Sequence, residues 1–332
     1  MNKWFLGLYL LFILSSCGES DNSANQSKKI LQSPPFAGVT DSIGRFPKQS
    51  ELYLQRALLL SRQNQHDLAY EDYKTAWSLR TDEATGLLYA GNLLMINNLK
   101  EAGLLLQDCI KRFPANREFP RRLAEVYIQT GQNAKALLQL DEELAKDSTD
   151  FETWYEKGRL LAQLTDTAGA IKALKTAYLL QPINHTGVAL AELYGASRNP
   201  DVITICDELI AKDSLGIQTD PYFIKGTYYS DIRQYKPALA AFEECIKRDW
   251  KFTDAYIEKG IVLYEQKQVD TALHVFVMAA TISNTNADSY YWMARCFETK
   301  GDTEQALLNY QRAVSLDRNF GEAKEGIKRL MR

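Results

Sequence analysis

Alanine recurs at Ala69, Ala102, Ala136, Ala170, Ala238, Ala272 and Ala306, at successive separations of 33, 34, 34, 68, 34 and 34 residues. A fixed period of this length means one supersecondary unit copied in tandem, so the chain stacks copies instead of closing around a single core. The unit is clearest in Trp154, Gly158, Leu161, Ala170, Leu174, Ala177 and Pro182. Trp154, Gly158 and Leu161 lie at i, i+4 and i+7, one stripe of a first helix, and Ala170, Leu174 and Ala177 form a matching stripe on a second. Gly158 and Ala170 are small where two helices must approach closely, while Trp154 and Leu174 fill the ends of that contact. Asp166 is placed to cap the second helix and Pro182 to stop it. Each copy is therefore expected to be a helical hairpin.

This spacing resembles the tetratricopeptide repeat: an aromatic, a small residue four later, an aromatic or aliphatic three beyond, then alanine, a large apolar residue and a closing proline. The resemblance implies an all-α chain, a right-handed α-solenoid or superhelix of about eight helix-turn-helix repeats over residues 50–320. Those 271 residues match the 272 that eight copies of 34 require, which leaves no room for a catalytic domain. The register runs through Tyr53, Ala57 and Leu60 in the first copy, Ala90, Leu93 and Cys109 in the second, and Pro120, Ala124 and Tyr127 in the third. It continues with Tyr222, Gly226 and Phe242 in the sixth, Tyr256, Gly260 and Phe276 in the seventh, and Tyr290, Ala294 and Tyr310 in the eighth. The fifth, about 183–218, is degenerate. Strict spacing puts Thr204 at the alanine position, whereas the rhythm Val202, Cys206, Leu209 asks for a shift of two, and the long joint from Lys212 to Pro221 suggests a change of pitch or a mild hinge. Phe36, Val39, Ile43 and Phe46 make an N-terminal capping half-repeat over 35–49. Ala323, Ile327 and Leu330 make the buried stripe of a capping helix over 321–332, among charged neighbours that keep its outer face wet.

The N-terminus reads as an address. One lysine, Lys3, precedes an uncharged run from Trp4 to Leu14, too short for the ~20 apolar residues that span a bilayer but right for the middle of a signal peptide. Leu14-Ser15-Ser16-Cys17 resembles the lipobox of bacterial lipoproteins, with residues 1–16 as the signal peptide and Cys17 as the lipidated residue. The resemblance implies anchoring by acyl chains in a Gram-negative envelope. Gly18, where aspartate would signal inner-membrane retention, favours the outer membrane, with the periplasmic or surface face left open. Residues 17–34, rich in Ser, Asn and Gln, read as a flexible tether with an r.m.s. span of about 20–25 Å.

With 39 basic and 42 acidic side chains, a net charge of -3 and a pI ≈ 5.8, the chain has no basic field for nucleic acid. No metalloprotease, nucleophile-elbow, phosphate-loop or dinucleotide motif is present. His66 in a turn, His185 at a repeat start and His274 on a second helix are too scattered for a metal site. Neither cofactor, metal nor small-molecule substrate is expected, and the carboxylates of Asp141-Glu142-Glu143 read as solvated. Cys109 and Cys245 stand where Ala177 and Ala313 stand elsewhere and read as core residues. Cys206–Cys245 is the disulfide pairing to test in an exported protein.

Binding is the activity that stacked hairpins support. Beside the buried stripe of the first helices runs a second one containing Tyr155, Arg159, Phe223, Ile257, Ile261, Tyr264, Tyr291 and Arg295. Tyrosine followed four residues later by arginine occurs twice, and these residue types dominate interface energies. Tyr155, Arg159, Phe223, Tyr264, Tyr291 and Arg295 are therefore the candidate partner-binding groove, with Arg121 and Glu125 as an extension. The competing reading is that the aromatics pack between neighbouring first helices and leave only the arginines wet. A non-enzymatic envelope scaffold or adaptor that holds a partner protein or peptide is the function favoured, in the manner of pilotins and of adaptors for wall hydrolases or secretion machines. The alternatives are a repeat-built enzyme acting on envelope glycans and a purely structural, self-associating lipoprotein.

Overall fold

The computed structural model describes residues 18–331; Cys17 and the signal peptide read at 1–16 lie outside the described residues. Among the described residues there are nineteen helices and no strand. None of these helices is long and apolar enough to cross a membrane. The chain divides into two compact units, one ending at Lys146 and the other running from Asp147 to Arg332.

In the first unit α1 (Gly18–Leu31) and α2 (Ala37–Arg45) precede three hairpins. These are α3 (Ser50–Arg62) with α4 (His66–Leu79), α5 (Glu83–Met95) with α6 (Leu99–Arg112), and α7 (Glu118–Gln129) with α8 (Asn133–Lys146). The second unit has five: α9 (Phe151–Gln163) with α10 (Thr167–Leu180), α11 (Asn184–Ala196) with α12 (Asp201–Lys212), α13 (Asp220–Asp231) with α14 (Tyr235–Arg248), α15 (Thr253–Glu265) with α16 (Val269–Ile282), and α17 (Ala287–Lys300) with α18 (Thr303–Leu316). Helix α19 (Gly321–Leu330) closes it. Within each unit every hairpin packs on the next in sequence, so each is a stack of helical pairs, the α-solenoid arrangement.

Local chemistry sets the helix ends. Asp166 caps α10 by accepting from the Gly169 N–H at 2.9 Å, and Asp82, Asn98, Asp150, Asn286 and Asp302 cap other helices in the same way. Each turn within a hairpin carries one residue of left-handed backbone: Asn64, Asn97, Gly131, Thr165, Arg198, Arg233, Lys267 and Gly301, with φ between 54° and 79°. That residue lets the first helix end in a tight reversal that satisfies its last carbonyls.

The alanines of the 34-residue series are all fully buried, as are Leu106, Phe242, Phe276 and Tyr310 four residues further on. The small residues are small for the reason the spacing gives. A Cβ on Gly158 would lie 2.7 Å from Leu174 Cγ, and one on Gly226 or Gly260 would lie 2.4 Å from the ring of Phe242 or Phe276. In the fifth hairpin Val202, Cys206 and Leu209 are buried and Thr204 is exposed, which is the shifted register. There the longer joint brings α13 directly against α11 as well as α12.

Several expectations need correction. The segment read as a flexible tether is helical from Gly18 to Leu31, and Ile30 and Leu31 pack on the core of the first unit. That apolar pair gives the segment something to bury, which its Ser- and Asn-rich composition conceals. Thr40 Oγ1 donates to the Leu31 carbonyl at 2.8 Å and ties α1 to α2. In the N-terminal cap, Phe36 and Ile43 are buried but Phe46 is 53% exposed, because α2 ends at Arg45. His66 is the first residue of α4, not part of a turn. Glu143, read as solvated, is buried at 2% exposure and accepts from Lys146. Cys109, Cys206, Cys245 and Cys296 are free thiols at 0% exposure, so no Cys206–Cys245 disulfide forms, and burial pushes each of them up to about 12. Thiols so protonated are unreactive core residues.

Candidate docking site

The six groove residues predicted from sequence all lie in the second unit, and the structure sorts them into three places. Tyr155 and Arg159, on α9, line a cleft of about 360 Å³ between α9 and α11. Ala162, Leu174, Ala189, Leu193 and Ala196 contribute its apolar lining, and Gln163 and Glu192 join Tyr155 and Arg159 as its polar lining. The Tyr155 ring meets His185 edge-on at 4.9 Å, and the Arg159 guanidinium sits 5.7 Å from the same tyrosine ring. Arg159 is half exposed, with Glu156 at 3.6 Å. Such a pair on the surface contributes ~1 kcal/mol or less and leaves the guanidinium available. Glu192 stands at the cleft with its carboxyl held above the ordinary value, by desolvation first and then by the charge of Asp220.

Tyr264, Tyr291 and Arg295 come together across α15 and α17. The Arg295 guanidinium lies 5.7, 6.0 and 5.8 Å from the rings of Tyr264, Tyr291 and Trp292, and donates to Tyr291 Oη at 3.0 Å. Tyr264 packs on Trp292 at 5.6 Å and shares a 2.7 Å hydrogen bond with Thr299. A second cleft of about 350 Å³ is lined by Tyr264, Arg295, Glu298, Thr299 and Arg329. Its Glu298 is taken up by a two-point contact from Arg329 at 2.6 and 2.7 Å. Phe223 belongs to neither cleft; it packs on Phe242 at 6.0 Å and Phe252 at 5.0 Å, and so joins successive hairpins. Arg121 and Glu125 lie on α7 of the first unit, where Arg121 pairs with Glu118 at 3.0 Å. Ile257 is buried, and Ile261 packs on the core around Phe276.

A second set of residues on these helices was not singled out from sequence. Asp220, Asp254, Asp288 and Glu322 are separated by 34 residues each and open α13, α15, α17 and α19. Acidic side chains suit helix first turns, which is one reason for their presence. They also act on a half-buried neighbour. The Glu258 carboxyl is held above the ordinary value by desolvation and then by Asp231, Asp254, Asp288 and Glu265. Asp288 is raised likewise, by desolvation and then by Asp254, Asp317 and Glu322. The lysines of the same first helices do not relieve this charge. Lys225 pairs with Asp207, Lys259 with Glu243 at 2.6 Å and Lys300 with Asp270 at 2.5 Å, all carboxylates of second helices. Among the described residues Asp254, Glu258 and Asp288 form no ion pair. The 34-residue spacing was the signal that could have revealed this series.

Comparison with known proteins agrees with the architecture. Residues 121–184, and residues 219–249 and 287–320, match two family descriptions that both read tetratricopeptide repeat. Among solved structures, a tetratricopeptide repeat protein from Parabacteroides merdae superposes with a TM-score of 0.57 at 16% identity, over 74% of this chain and 98% of that one. The C-terminal part of a TPR repeat-containing protein from Cytophaga hutchinsonii gives 0.54 at 15% identity, over 72% and 98%. PilW, a type IV pilus biogenesis factor, gives 0.54 at 15% identity, over 63% and 98%. A comparison with curated proteins returns no match. Residues 121–184, 219–249 and 287–320 are thus similar to tetratricopeptide repeats, and the described residues of each unit form helical hairpins of that fold.

Proposed function

We propose that this protein is a non-enzymatic scaffold that holds a partner protein or peptide against the first helices of its second unit, anchored to a bacterial envelope through a lipidated Cys17. The observation that carries the binding reading is the α9–α11 cleft. It is open and lined by Leu174, Leu193 and three alanines together with Tyr155 and the half-exposed Arg159, a largely apolar pocket with a few polar groups. Open apolar space beside an aromatic and an arginine is what an interface anchor requires. Tetratricopeptide repeats at 121–184 support the reading, since the hairpin after the matched segment supplies the other cleft wall.

The anchor rests on the sequence Leu14-Ser15-Ser16-Cys17 alone. On this reading the repeats belong to a Gram-negative envelope, and Gly18 supports the outer membrane. Two experiments test the two halves. Filling the cleft with Ala162→Phe should abolish recovery of a crosslinked partner while leaving the melting curve intact. Metabolic labelling with palmitate should mark the wild-type chain and not Cys17→Ser; equal labelling of both would remove the anchor.

A further inference from the structure

The proposed docking face also states the chemistry of its occupant, an inference that rests on the reading of that face as the binding surface. Two independent observations converge. The first is the apolar α9–α11 cleft of about 360 Å³, large enough for a bulky apolar side chain. The second is the chain of coupled carboxylates that starts at its mouth. Glu192 faces the charge of Asp220, and beyond it Glu258 faces Asp231, Asp254 and Asp288. Every lysine on α13, α15 and α17 that is ion-paired is held by a second-helix carboxylate, so the negative charge is left uncompensated beside the first helices. Glu192, Asp220, Asp231, Asp254 and Asp288 are exposed and Glu258 is half-buried among them, an arrangement that costs stability unless positive charge arrives from outside.

We propose that this face docks a cationic, extended segment of a partner protein, with one apolar side chain in the α9–α11 cleft and lysine or arginine side chains laid along Glu192, Asp220, Asp254, Glu258 and Asp288. The repeat geometry sets the spacing. Successive first helices α13, α15 and α17 touch one another, and packed helices lie roughly 8–10 Å apart. An extended polyproline-type segment advances about 3.1 Å per residue with three residues per turn, so every third side chain returns to the same face after about 9 Å. A basic residue at every third position therefore meets the acidic side chains of one first helix after another: Glu192 on α11, Asp220 on α13, Asp254 and Glu258 on α15, and Asp288 on α17. Arg295, caged by three rings near the far end, supplies the only cationic group on this stripe of α17 and fixes where the basic run must stop.

The test is fluorescence anisotropy on the full folded chain with two labelled probes, a peptide of repeated Lys-Pro-Leu triplets and its Glu-Pro-Leu counterpart. The lysine probe should bind, and its binding should weaken steeply with added salt, with little binding of the glutamate probe. Ala162→Phe should weaken the lysine probe about tenfold, and the double variant Asp254→Asn, Glu258→Gln by a similar factor. Glu304→Gln, on the second helix α18, should change it less than twofold. Circular dichroism melts confirm that the variants fold. If the glutamate probe binds as well or better and is still lost in Ala162→Phe, the cationic occupant is wrong while the docking face stands. If neither probe responds to Ala162→Phe, or Glu304→Gln weakens the lysine probe as much as the double variant does, both the occupant and the face are wrong.

Discussion

Gly260 lies directly beneath the ring of Phe276, the residue sixteen positions later on the partner helix of its hairpin. A Cβ at Gly260 would stand 2.4 Å from Phe276 Cε1 and 2.6 Å from Cζ, closer than non-bonded carbon atoms come. The same relation holds between Gly226 and Phe242. Repeat spacing is thus a packing rule: a large ring on one helix demands an empty side chain on the other.

Gly260→Ala should therefore destabilise the second unit even though alanine is the better helix former. The propensity gain is about 1 kcal/mol and the overpacking cost about 1–3 kcal/mol, so a net loss of about 1 kcal/mol is expected. Gly44→Ala on α2, where a Cβ meets nothing within 4 Å, should show the gain alone. Urea denaturation of both variants checks the contrast.

Thr165 occupies the left-handed turn position with φ of 62°, where the third and eighth hairpins have Gly131 and Gly301. A β-branched side chain is strained there. Thr165→Gly should stabilise the chain by about 0.5–1 kcal/mol, the released strain exceeding the added freedom of the unfolded chain. A lower melting temperature in the variant would contradict this.

In the first unit Arg56 donates from Nε and Nη2 to both carboxylate oxygens of Asp72 at 2.7 Å, with side chains 11% and 6% exposed, and its Nη1 donates to Thr40 Oγ1 at 3.1 Å. The guanidinium thereby joins α2, α3 and α4. Asp72→Ala leaves a buried charge without its counter-ion and should cost about 3–5 kcal/mol. Arg56→Met combined with Asp72→Leu should recover most of the loss, which chemical denaturation of the double variant would show.

Glu258 gives a pH-dependent effect whose sign is fixed by its raised carboxyl. In the folded chain the ionised form is penalised, so above the folded value the group reduces stability, and the penalty fades as pH falls through that value towards the ordinary 4.5. Below 4.5 the group is neutral in both states. Glu258→Gln should accordingly raise the melting temperature at pH 7, with the gain fading as pH falls to the ordinary carboxylate value of 4.5. A gain that grew on acidification would contradict the assignment.

Much of the fold was legible because each packing position admits few residue types. The alanine series located seven of the eight second helices, and the Val202, Cys206, Leu209 rhythm corrected the remaining one. Helix α1 was not legible, since Ile30 and Leu31 are two apolar residues in a polar segment and only their contact with the first core gives them meaning. Of the candidate site, Tyr155 and Arg159 were found together, and Tyr264, Tyr291 and Arg295 were found together. Phe223 was misplaced because an aromatic on the stripe beside the core can turn inward, as it does against Phe242 and Phe252. The carboxylates were overlooked for a different reason. Single acidic residues at helix starts look like caps, and their accumulation around Glu258 follows from stacking, not from any one copy.

In the proposed function partners dock on the first helices beside the α9–α11 cleft and not on the second helices. Site-specific photo-crosslinking in cells tests it most directly, with a photoreactive residue in place of Ala162 in the cleft or of Leu308, which is 57% exposed on α18. A discrete crosslinked adduct is expected from position 162 and none from 308. Adducts from 308 alone, or the same adduct from both positions, would contradict it.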